Sequence, residues 1–212
     1  MANPVVHSLL TPDNCVVTFI DHQPQMLFGV ANIDRQTVIN NVVGLAKAAK
    51  AFNVPVVLST VETKSFSGYI WPQLRGVFPE HPLYERTSMN AWEDKAYVEA
   101  IEKTGRKKLV IAALWSEMCL AQPAIHAMGD GFDVYAVTDA SGGVTPEAHD
   151  MAIRRIVAAG AQPITWLAMA GELQRDWART ERLGAVAQIL FDHAGASGAV
   201  LAWELANEAQ HA

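Results

Sequence analysis

The stretch CVVTFID, residues 15–21, decides the fold class, because six residues that read as a buried strand lead into a carboxylate. Strands without polar alternation are typical of parallel sheets that are covered on both faces. Similar short runs, separated by longer stretches of helical period, recur at residues 55–60, 107–114, 132–138 and 163–166, with a weaker one near 84–87. This alternation predicts a Rossmann-like three-layer α/β/α fold around a mostly parallel six-stranded sheet.

Capping residues mark the helices between these strands. Asp34 predicts the N-cap of a helix that runs to about Phe52, and Gly105 should end a second helix that begins at Asn90 or Trp92. Two further helices are expected, one from about residue 116 and one over residues 145–160, where a proline at the first position and a closing glycine mark the ends.

Length and charge limit the classes of partner. With 212 residues, 50 % of them apolar, the chain is long enough to bury a full core, and we expect one domain over residues 1–212. The formal net charge of -6 gives no basic surface that would neutralise phosphates. The one dense basic run, residues 106–108, reads as a solvated turn before a strand. We therefore expect a small-molecule substrate and no nucleic-acid partner.

Cysteine usage and hydropathy favour the cytoplasm. Cys15 and Cys119 could form at most one bridge, and neither lies in a disulfide framework or a metal-binding knuckle. The first basic residue is Arg35, so the start of the chain lacks the charge of a secretory signal. The longest apolar run, residues 109–115, is far shorter than the roughly 20 residues that span a bilayer, and we expect no membrane association.

The C-terminal segment, about residues 169–212, predicts self-association. It reads as helices broken around residues 195–198 and contains the apolar runs LGAVAQILF and AVLAWELA. Together with six tryptophans in the chain, these runs exceed what a small monomer usually needs to cover its own surface. We expect a homo-oligomer with this segment in its contacts.

Polar residues at the ends of strands are the first candidates for a functional site, because ligands of open parallel sheets bind beyond the carboxyl ends of the strands. Asp21 ends the first predicted strand and Asp139 the fifth. Cys119 lies in the first turn of the helix that follows residues 107–114. A helix N-terminus carries about half a positive charge, which favours the thiolate form of a cysteine.

Each candidate also has a purely structural interpretation. Cys119 can be a small buried hydrophobic residue, as we expect for Cys15 inside its strand. Asp21 can be a carboxylate that caps a turn. Arg86 would ordinarily be a surface cation, and neither pattern nor spacing singles it out.

Five ordered segments resemble the isochorismatase-like cysteine hydrolases, and within them the YcaC-like branch. These segments are FIDHQPQM (19–26), ERTSMNAWED (85–94), ALWSEMCLAQPA (113–124), VTDASGG (137–143) and TWLAMAGELQRDW (165–177). The resemblance covers nearly the whole chain. It implies a six-stranded parallel sheet with helices on both sides, in agreement with the alternation of strands and helices.

The resemblance also implies roles for individual residues. Cys119 matches the family's nucleophile, Asp21 its catalytic aspartate, and Arg86 a third catalytic position that is usually lysine but is arginine in YcaC-like members. The backbone amides of Trp115 and Cys119 match the oxyanion hole, and a cis peptide is expected at Leu114–Trp115. Because arginine does not deprotonate in proteins, Arg86 can stabilise negative charge but cannot carry a proton.

No metal site is expected. Nicotinamidases of the superfamily bind a metal through aspartate and histidine after the second strand, whereas the matching stretch here, VETKSFSGYIWP (61–72), has one carboxylate and no histidine. The seven histidines are scattered along the chain, and only His22, beside Asp21, has a suggestive position. We therefore expect neither a metal nor another cofactor.

The substrate pocket is harder to predict, because loops build it. Candidates for its apolar walls are Met26, Phe28, Trp92 and Trp115. Each of these side chains could equally belong to the core or to a subunit interface.

The expected reaction is hydrolysis of a small amide or related acyl compound through a thioester. An ordinary thiol and an ordinary carboxyl differ in pKa by about 4.6 units, roughly 6 kcal/mol against proton transfer. Burial should raise the pKa of Asp21, while Arg86 and the helix N-terminus should lower that of Cys119. Two other functions stay open: a catalytically silent oligomeric scaffold or small-molecule binder, and vinyl-ether hydrolysis of the isochorismatase type, whose enzymes lack the nucleophilic cysteine.

Overall fold

The buried runs form one parallel sheet. A computed structural model describes residues 9–211, and within them the strands are β1 (Cys15–Ile20), β2 (Val56–Val61), β3 (Leu83–Arg86), β4 (Lys108–Ala113), β5 (Asp133–Val137) and β6 (Gln162–Ile164). Their order is β3-β2-β1-β4-β5-β6, and every neighbouring pair is parallel. All residues of the two central strands, β1 and β4, are buried. The predicted sheet is confirmed, with strand ends that shift by one or two residues.

Helices cover both faces of the sheet, which confirms the predicted three layers. One face carries α1 (Pro24–Gly29), α2 (Arg35–Ala51), α3 (Pro72–Val77), α7 (Trp166–Gln174) and α8 (Leu183–His193). The opposite face carries α4 (Lys95–Glu102), α5 (Ala121–Gly129) and α6 (Pro146–Ala158). A last helix, α9 (Gly195–His211), packs on α8. The sequence did not predict the two short helices α1 and α3.

The capping residues explain why the predicted start of α2 is confirmed and why the helix predicted from about residue 90 is divided. The side chain of Asp34 accepts a hydrogen bond from the amide of Thr37, as expected of the N-cap of α2. The helix predicted from about residue 90 instead forms in two pieces, a 3-10 turn at Ala91–Glu93 followed by α4. Asn90 caps the first piece and Asp94 the second, and the extended backbone at Asp94 separates them.

The sixth strand ends earlier than predicted, because the chain turns into a helix there. Trp166, the expected end of this strand, is the first residue of α7. The side chain of Thr165 accepts from the amide of Ala168, and Asp139 accepts from the amide of Trp166 at 2.9 Å. These two caps satisfy amides of the first helical turn, which have no partner within the helix.

The C-terminal helices α8 and α9 pack outside the helices that lie directly on the sheet. α8 packs against α2, and α9 packs against α8. The break between them lies at Ala194, ahead of the predicted break at residues 195–198, and Gly198 is inside α9. A side chain at Gly198 would collide with the carbonyl oxygen of Leu190, so the close approach of these helices requires glycine. Apolar side chains on α9 remain exposed, namely Val200, Trp203 and Leu205.

The prediction that the chain lacks a secretory signal concerns its first residues, and residues 1–8 lie outside the described part of the structure. Residue 212, the end of the predicted C-terminal segment, also lies outside it. Between residues 9 and 211, no helix combines the length and apolarity needed to cross a membrane.

Candidate active site

The carboxyl ends of three strands bring the predicted catalytic residues together. Asp21 follows β1, Arg86 is the last residue of β3, and Cys119 lies six residues beyond β4. The side chains are almost completely inaccessible: Asp21 is 0 % exposed, Arg86 4 % and Cys119 7 %. The site is therefore assembled at the buried end of the sheet, where open α/β sheets bind ligands.

Asp21 sits at a sharp turn of the backbone. Its φ angle of 59° lies in the left-handed region, which aspartate tolerates better than most residues. Its amide donates to the carbonyl of Ser59 on β2 at 3.0 Å, and its carbonyl accepts from the amide of Gln23 at 2.7 Å. This turn ends β1 and fixes the position of the carboxylate.

Arg86 holds the carboxylate of Asp21 with two parallel hydrogen bonds. Nη1 donates to Oδ1 and Nη2 donates to Oδ2, each at 2.6 Å. Nη1 also donates to the hydroxyl of Ser59 at 3.1 Å, and Nη2 to the carbonyl of Met89 at 3.3 Å. Such bidentate pairs fix the orientation of both groups, and a buried pair needs these additional bonds to offset the loss of hydration.

Cys119 lies in a turn that the sequence only approximately predicted. The helix expected from Ser116 begins as a π-helical turn, Ser116–Leu120, and continues as α5. The carbonyl of Trp115 accepts from three amides of this turn, those of Met118, Cys119 and Leu120, at 3.1, 2.8 and 3.3 Å. The expected cis peptide at Leu114–Trp115 is confirmed.

The thiol of Cys119 lies beside Asp21 and the backbone of Trp115. Both groups act on its pKa, the carboxyl group of Asp21 by raising it and the Trp115 backbone by lowering it. Arg86 approaches the thiol less directly, because both of its Nη atoms are bonded to Asp21. The three residues thus form a chain in which Asp21 stands between the cation and the sulfur.

The expectation of a lowered thiol pKa is wrong. Burial, the charge of Asp21 and the hydrogen bond with Asp21 raise the pKa of Cys119, and together they outweigh Arg86 and the Trp115 backbone, which lower it. The amide of Cys119 donates to the carbonyl of Trp115 and not to the thiol. The resting group is consequently a neutral thiol.

The expected rise in the pKa of Asp21 is confirmed. Burial raises the pKa of its carboxyl group, whereas the hydrogen bonds and charge of Arg86 oppose that rise. The same pairing raises the pKa of Arg86, which stays cationic. The surroundings therefore raise the pKa of both the carboxyl group and the thiol, and the expected opposite shifts of the two groups are not found.

Two of the four predicted pocket residues, Met26 and Trp115, are in direct contact. The indole N–H of Trp115 donates to the carbonyl of Met26 at 2.6 Å, and Phe28, on the same short helix α1, is 72 % exposed. The Trp115 ring lies so close to Gly29 that this position has no room for a side chain. Trp92 packs instead in the core against Phe132 and Tyr97, with its indole N–H bonded to Asp130.

Two other suggestive residues lie outside the catalytic cluster. His22 is buried between Phe19 and Trp71, and burial lowers its pKa to about 4, so the ring is neutral and part of the core. The carboxylate of Asp139 accepts a hydrogen bond from the amide of Trp166 and therefore helps to cap the N-terminus of α7.

Sequence reasoning missed the residues that surround the ion pair. Ser59 reaches Arg86, and Gln23 joins the end of β2 to the loop that follows, donating to the carbonyls of Val61 and Gly68 at 3.0 and 2.6 Å. The buried hydroxyl of Tyr97 lies 3.0 Å from that of Thr18, on the α4 side of β1. A serine inside a strand and a glutamine two residues after Asp21 were the available signals.

The histidine, cysteine and acidic side chains are not clustered as metal ligands within the described residues. Among residues 9–211, no group of three or more histidine, cysteine or acidic side chains is arranged to hold a metal ion. The expectation of metal independence remains a prediction about activity.

Comparison with known proteins places this geometry in a family. The sequence matches the Isochorismatase domain over residues 15–167. Probable hydrolase YcaC of Escherichia coli K12 is 39 % identical over 178 residues, covering 84 % of this chain and 85 % of that protein.

Two solved structures are similar over most of their length. YcaC from Pseudomonas aeruginosa, solved with hexane-2,5-diol and covalent acrylamide, superposes with a TM-score of 0.90 at 35 % identity and covers 94 % of this chain and 98 % of its own. The YcaC gene product of Escherichia coli, described as an octameric hydrolase of unknown specificity, has a TM-score of 0.85 at 37 % identity, covering 88 % and 91 %. The six-stranded parallel sheet, the motifs and these matches agree, and the chain belongs to the isochorismatase family of hydrolases, in its YcaC-like branch.

Proposed function

We propose that this protein is a cysteine-dependent hydrolase that cleaves a small amide or related acyl compound through a thioester. One observation carries the proposal: a buried thiol lies beside a carboxylate that is itself fixed by a guanidinium. A nucleophile, a proton acceptor and a group that orients the acceptor are the parts that covalent catalysis requires. No cofactor takes part in the proposed reaction.

Asp21 is the proton acceptor and donor of the proposed cycle. Because the resting thiol is neutral, its proton passes to Asp21 as Sγ attacks the carbonyl carbon. The bond to the leaving amine then breaks, and Asp21 returns the proton to the amine nitrogen. Asp21 next takes a proton from water, the resulting hydroxide attacks the thioester, and the proton returns to sulfur as the carboxylic acid leaves.

Backbone amides at Trp115 and Cys119 are the proposed donors to the tetrahedral oxyanion. The backbone of Trp115 lowers the pKa of the thiol, which supports a position beside the attacking atom. The amide of Cys119 donates to the carbonyl of Trp115 at 2.8 Å, so it would share its proton between that carbonyl and the oxyanion.

Arg86 has a different role from the one expected from the sequence. Its two strong hydrogen bonds keep Asp21 ionised and oriented, although burial favours the protonated carboxyl. It therefore acts through Asp21, and its effect on the thiol is secondary.

Two features of relatives support the proposal. The Pseudomonas aeruginosa protein was solved with covalent acrylamide, and acrylamide is an electrophile that adds to thiols. The Escherichia coli protein is octameric, which favours a homo-oligomer here as well. Two further elements of the proposal are a cytoplasmic location, consistent with the free thiols of Cys15 and Cys119, and a pocket with Met26, Phe28 and Trp115 in its walls.

A panel of small amides tests the nucleophile. We expect ammonia or amine release by the wild type and by Cys15→Ala, and none by Cys119→Ala. Cys15 is a matched control because it is buried, burial raises its thiol pKa to about 12, and it lies at the opposite end of β1. Mass spectrometry should detect an acyl group on Cys119 during turnover. Hydrolysis that survives in Cys119→Ala would refute the mechanism, and inactivity of the wild type on every amide would favour a binding or scaffold role.

Asp21→Asn should lower turnover by about a hundredfold or more, because it removes the proton acceptor. The pH midpoint for alkylation of Cys119 should fall, since the carboxylate raises the thiol pKa and its loss frees Arg86 to face the sulfur. Asp139→Asn is the control: this carboxyl also follows a strand but caps α7, and the asparagine oxygen can still accept from Trp166. Near-normal turnover in Asp21→Asn would remove Asp21 from the mechanism.

Arg86→Lys should lose about tenfold or more in turnover, because one ammonium cannot reproduce the paired hydrogen bonds to both carboxylate oxygens. Arg86→Ala should lose more and should also unfold more easily, by about 3–5 kcal/mol, since it leaves Asp21 buried without its partner. Arg75→Lys, in which a single carbonyl contact is altered, serves as the control. Full activity in Arg86→Lys would mean that positive charge alone suffices.

The chain should form a homo-oligomer in solution. The exposed apolar residues of α9, Val200, Trp203 and Leu205, are the proposed contacts. Light scattering should give a mass well above that of the 23.0 kDa chain, and Trp203→Asp should lower it. A 23.0 kDa particle of the wild type at micromolar concentration would contradict this expectation.

A further inference from the structure

The turn that carries Cys119 is held from the side by α6. Ser116, the first residue of this turn, is completely buried, and its hydroxyl lies 2.7 Å from Nδ1 of His149 on α6. The amide of Ser116 donates to the carbonyl of Gly142 at 2.7 Å. Both the backbone and the side chain of Ser116 are thus bonded to the segment of residues 142–149.

The next residue of the turn makes a second connection to the same segment. The carboxylate of Glu117 accepts from the amide of Val144 at 3.1 Å. A Cβ atom at Gly143 would lie 2.8 Å from Glu117 and 3.0 Å from the backbone nitrogen of His149, so there is little space between the segment and the turn. The contact is therefore close and specific.

We propose that His149 is a positioning residue for the nucleophile, acting through the hydroxyl of Ser116 on the turn that directs the Cys119 thiol toward Asp21. The proposal rests on the proposed function only for the role of Cys119 as nucleophile. His149 does not reach the reacting atoms in this arrangement, because Ser116 and the backbone of the turn lie between them.

The geometry of the turn explains why the contact between Ser116 and His149 matters. The carbonyl of Trp115 accepts from three successive amides, so the turn lacks the single regular bonding pattern of an α-helix. Movement of Ser116 changes the direction of both the Cys119 amide and the Cys119 thiol. Displacements on the order of 1 Å at a catalytic group are enough to reduce turnover strongly.

The pH dependence of Cys119 alkylation separates positioning from simple stabilisation. The hydrogen bond with Asp21 raises the thiol pKa, so a thiol that turns away from Asp21 should titrate at lower pH. Burial lowers the pKa of His149, so the imidazole is neutral where the thiol titrates and its removal changes no charge there. The midpoint therefore reports the orientation of the thiol.

The experiment compares Ser116→Ala, His149→Phe, their double variant and His149→Asn, with alkylation of the Cys119 peptide followed by mass spectrometry. We expect both single variants to lower the midpoint by about half a unit or more, and the double variant to lower it no further, because the two residues act as one pair. His149→Asn, which keeps a polar atom near the position of Nδ1, should restore most of the wild-type value.

His193→Phe is the matched control. His193 on α8 is also half-buried, and its Nδ1 lies 3.0 Å from Oδ1 of Asn40, far from the turn. This variant should lose comparable stability and keep the wild-type midpoint. Unchanged midpoints in Ser116→Ala and His149→Phe, or additive shifts in the double variant, would overturn the proposal. Because alkylation needs no substrate, this result does not depend on whether amide hydrolysis is found.

Discussion

The site depends on one buried ion pair, that of Asp21 and Arg86. Removing two charges from water costs several kcal/mol for each ion, and only close pairing with full hydrogen bonding offsets that cost. Here Arg86 donates a hydrogen bond to each carboxylate oxygen, and its Nη atoms also donate to the hydroxyl of Ser59 and the carbonyl of Met89. The pair also connects the end of β1 with the end of β3 across β2, so the position of the Asp21 carboxylate is tied to the edge of the sheet.

The thiol belongs to a different class from low-pKa cysteines at exposed helix ends. Its pKa is raised, and the group beside it is an acceptor rather than a cation. Such a thiol is unreactive toward solvent oxidants that need a thiolate, yet it can lose its proton when a carbonyl group is present to receive the sulfur. Burial is therefore compatible with the proposed role of Cys119, provided that Asp21 stays ionised.

Sequence patterns predicted the three layers and the most buried strands, because a short, nearly apolar run such as CVVTFI is typical of a parallel strand that is covered on both faces. They also predicted Asp21 at the end of a strand and Cys119 in the first turn of the following helix. Arg86 was assigned only by resemblance, since an arginine at the end of a short, weakly predicted strand has no distinguishing pattern. The partners of the site, Ser59 and the Ser116–His149 contact, depend on residues distant in sequence, and the direction of the thiol pKa depends on a burial that no local pattern reveals.

The position of β3 has a consequence for the dynamics of the site. Arg86 is the last residue of a four-residue strand at the edge of the sheet, paired with β2 on one side only. Edge segments open by local fluctuations whose free energy is below that of global unfolding. The guanidinium is therefore carried by one of the less protected parts of the sheet, while the carboxylate and the thiol follow its two central strands. Fraying of β3 would withdraw the guanidinium from Asp21 while the core stays folded, so the ion pair depends on this short strand as well as on the core.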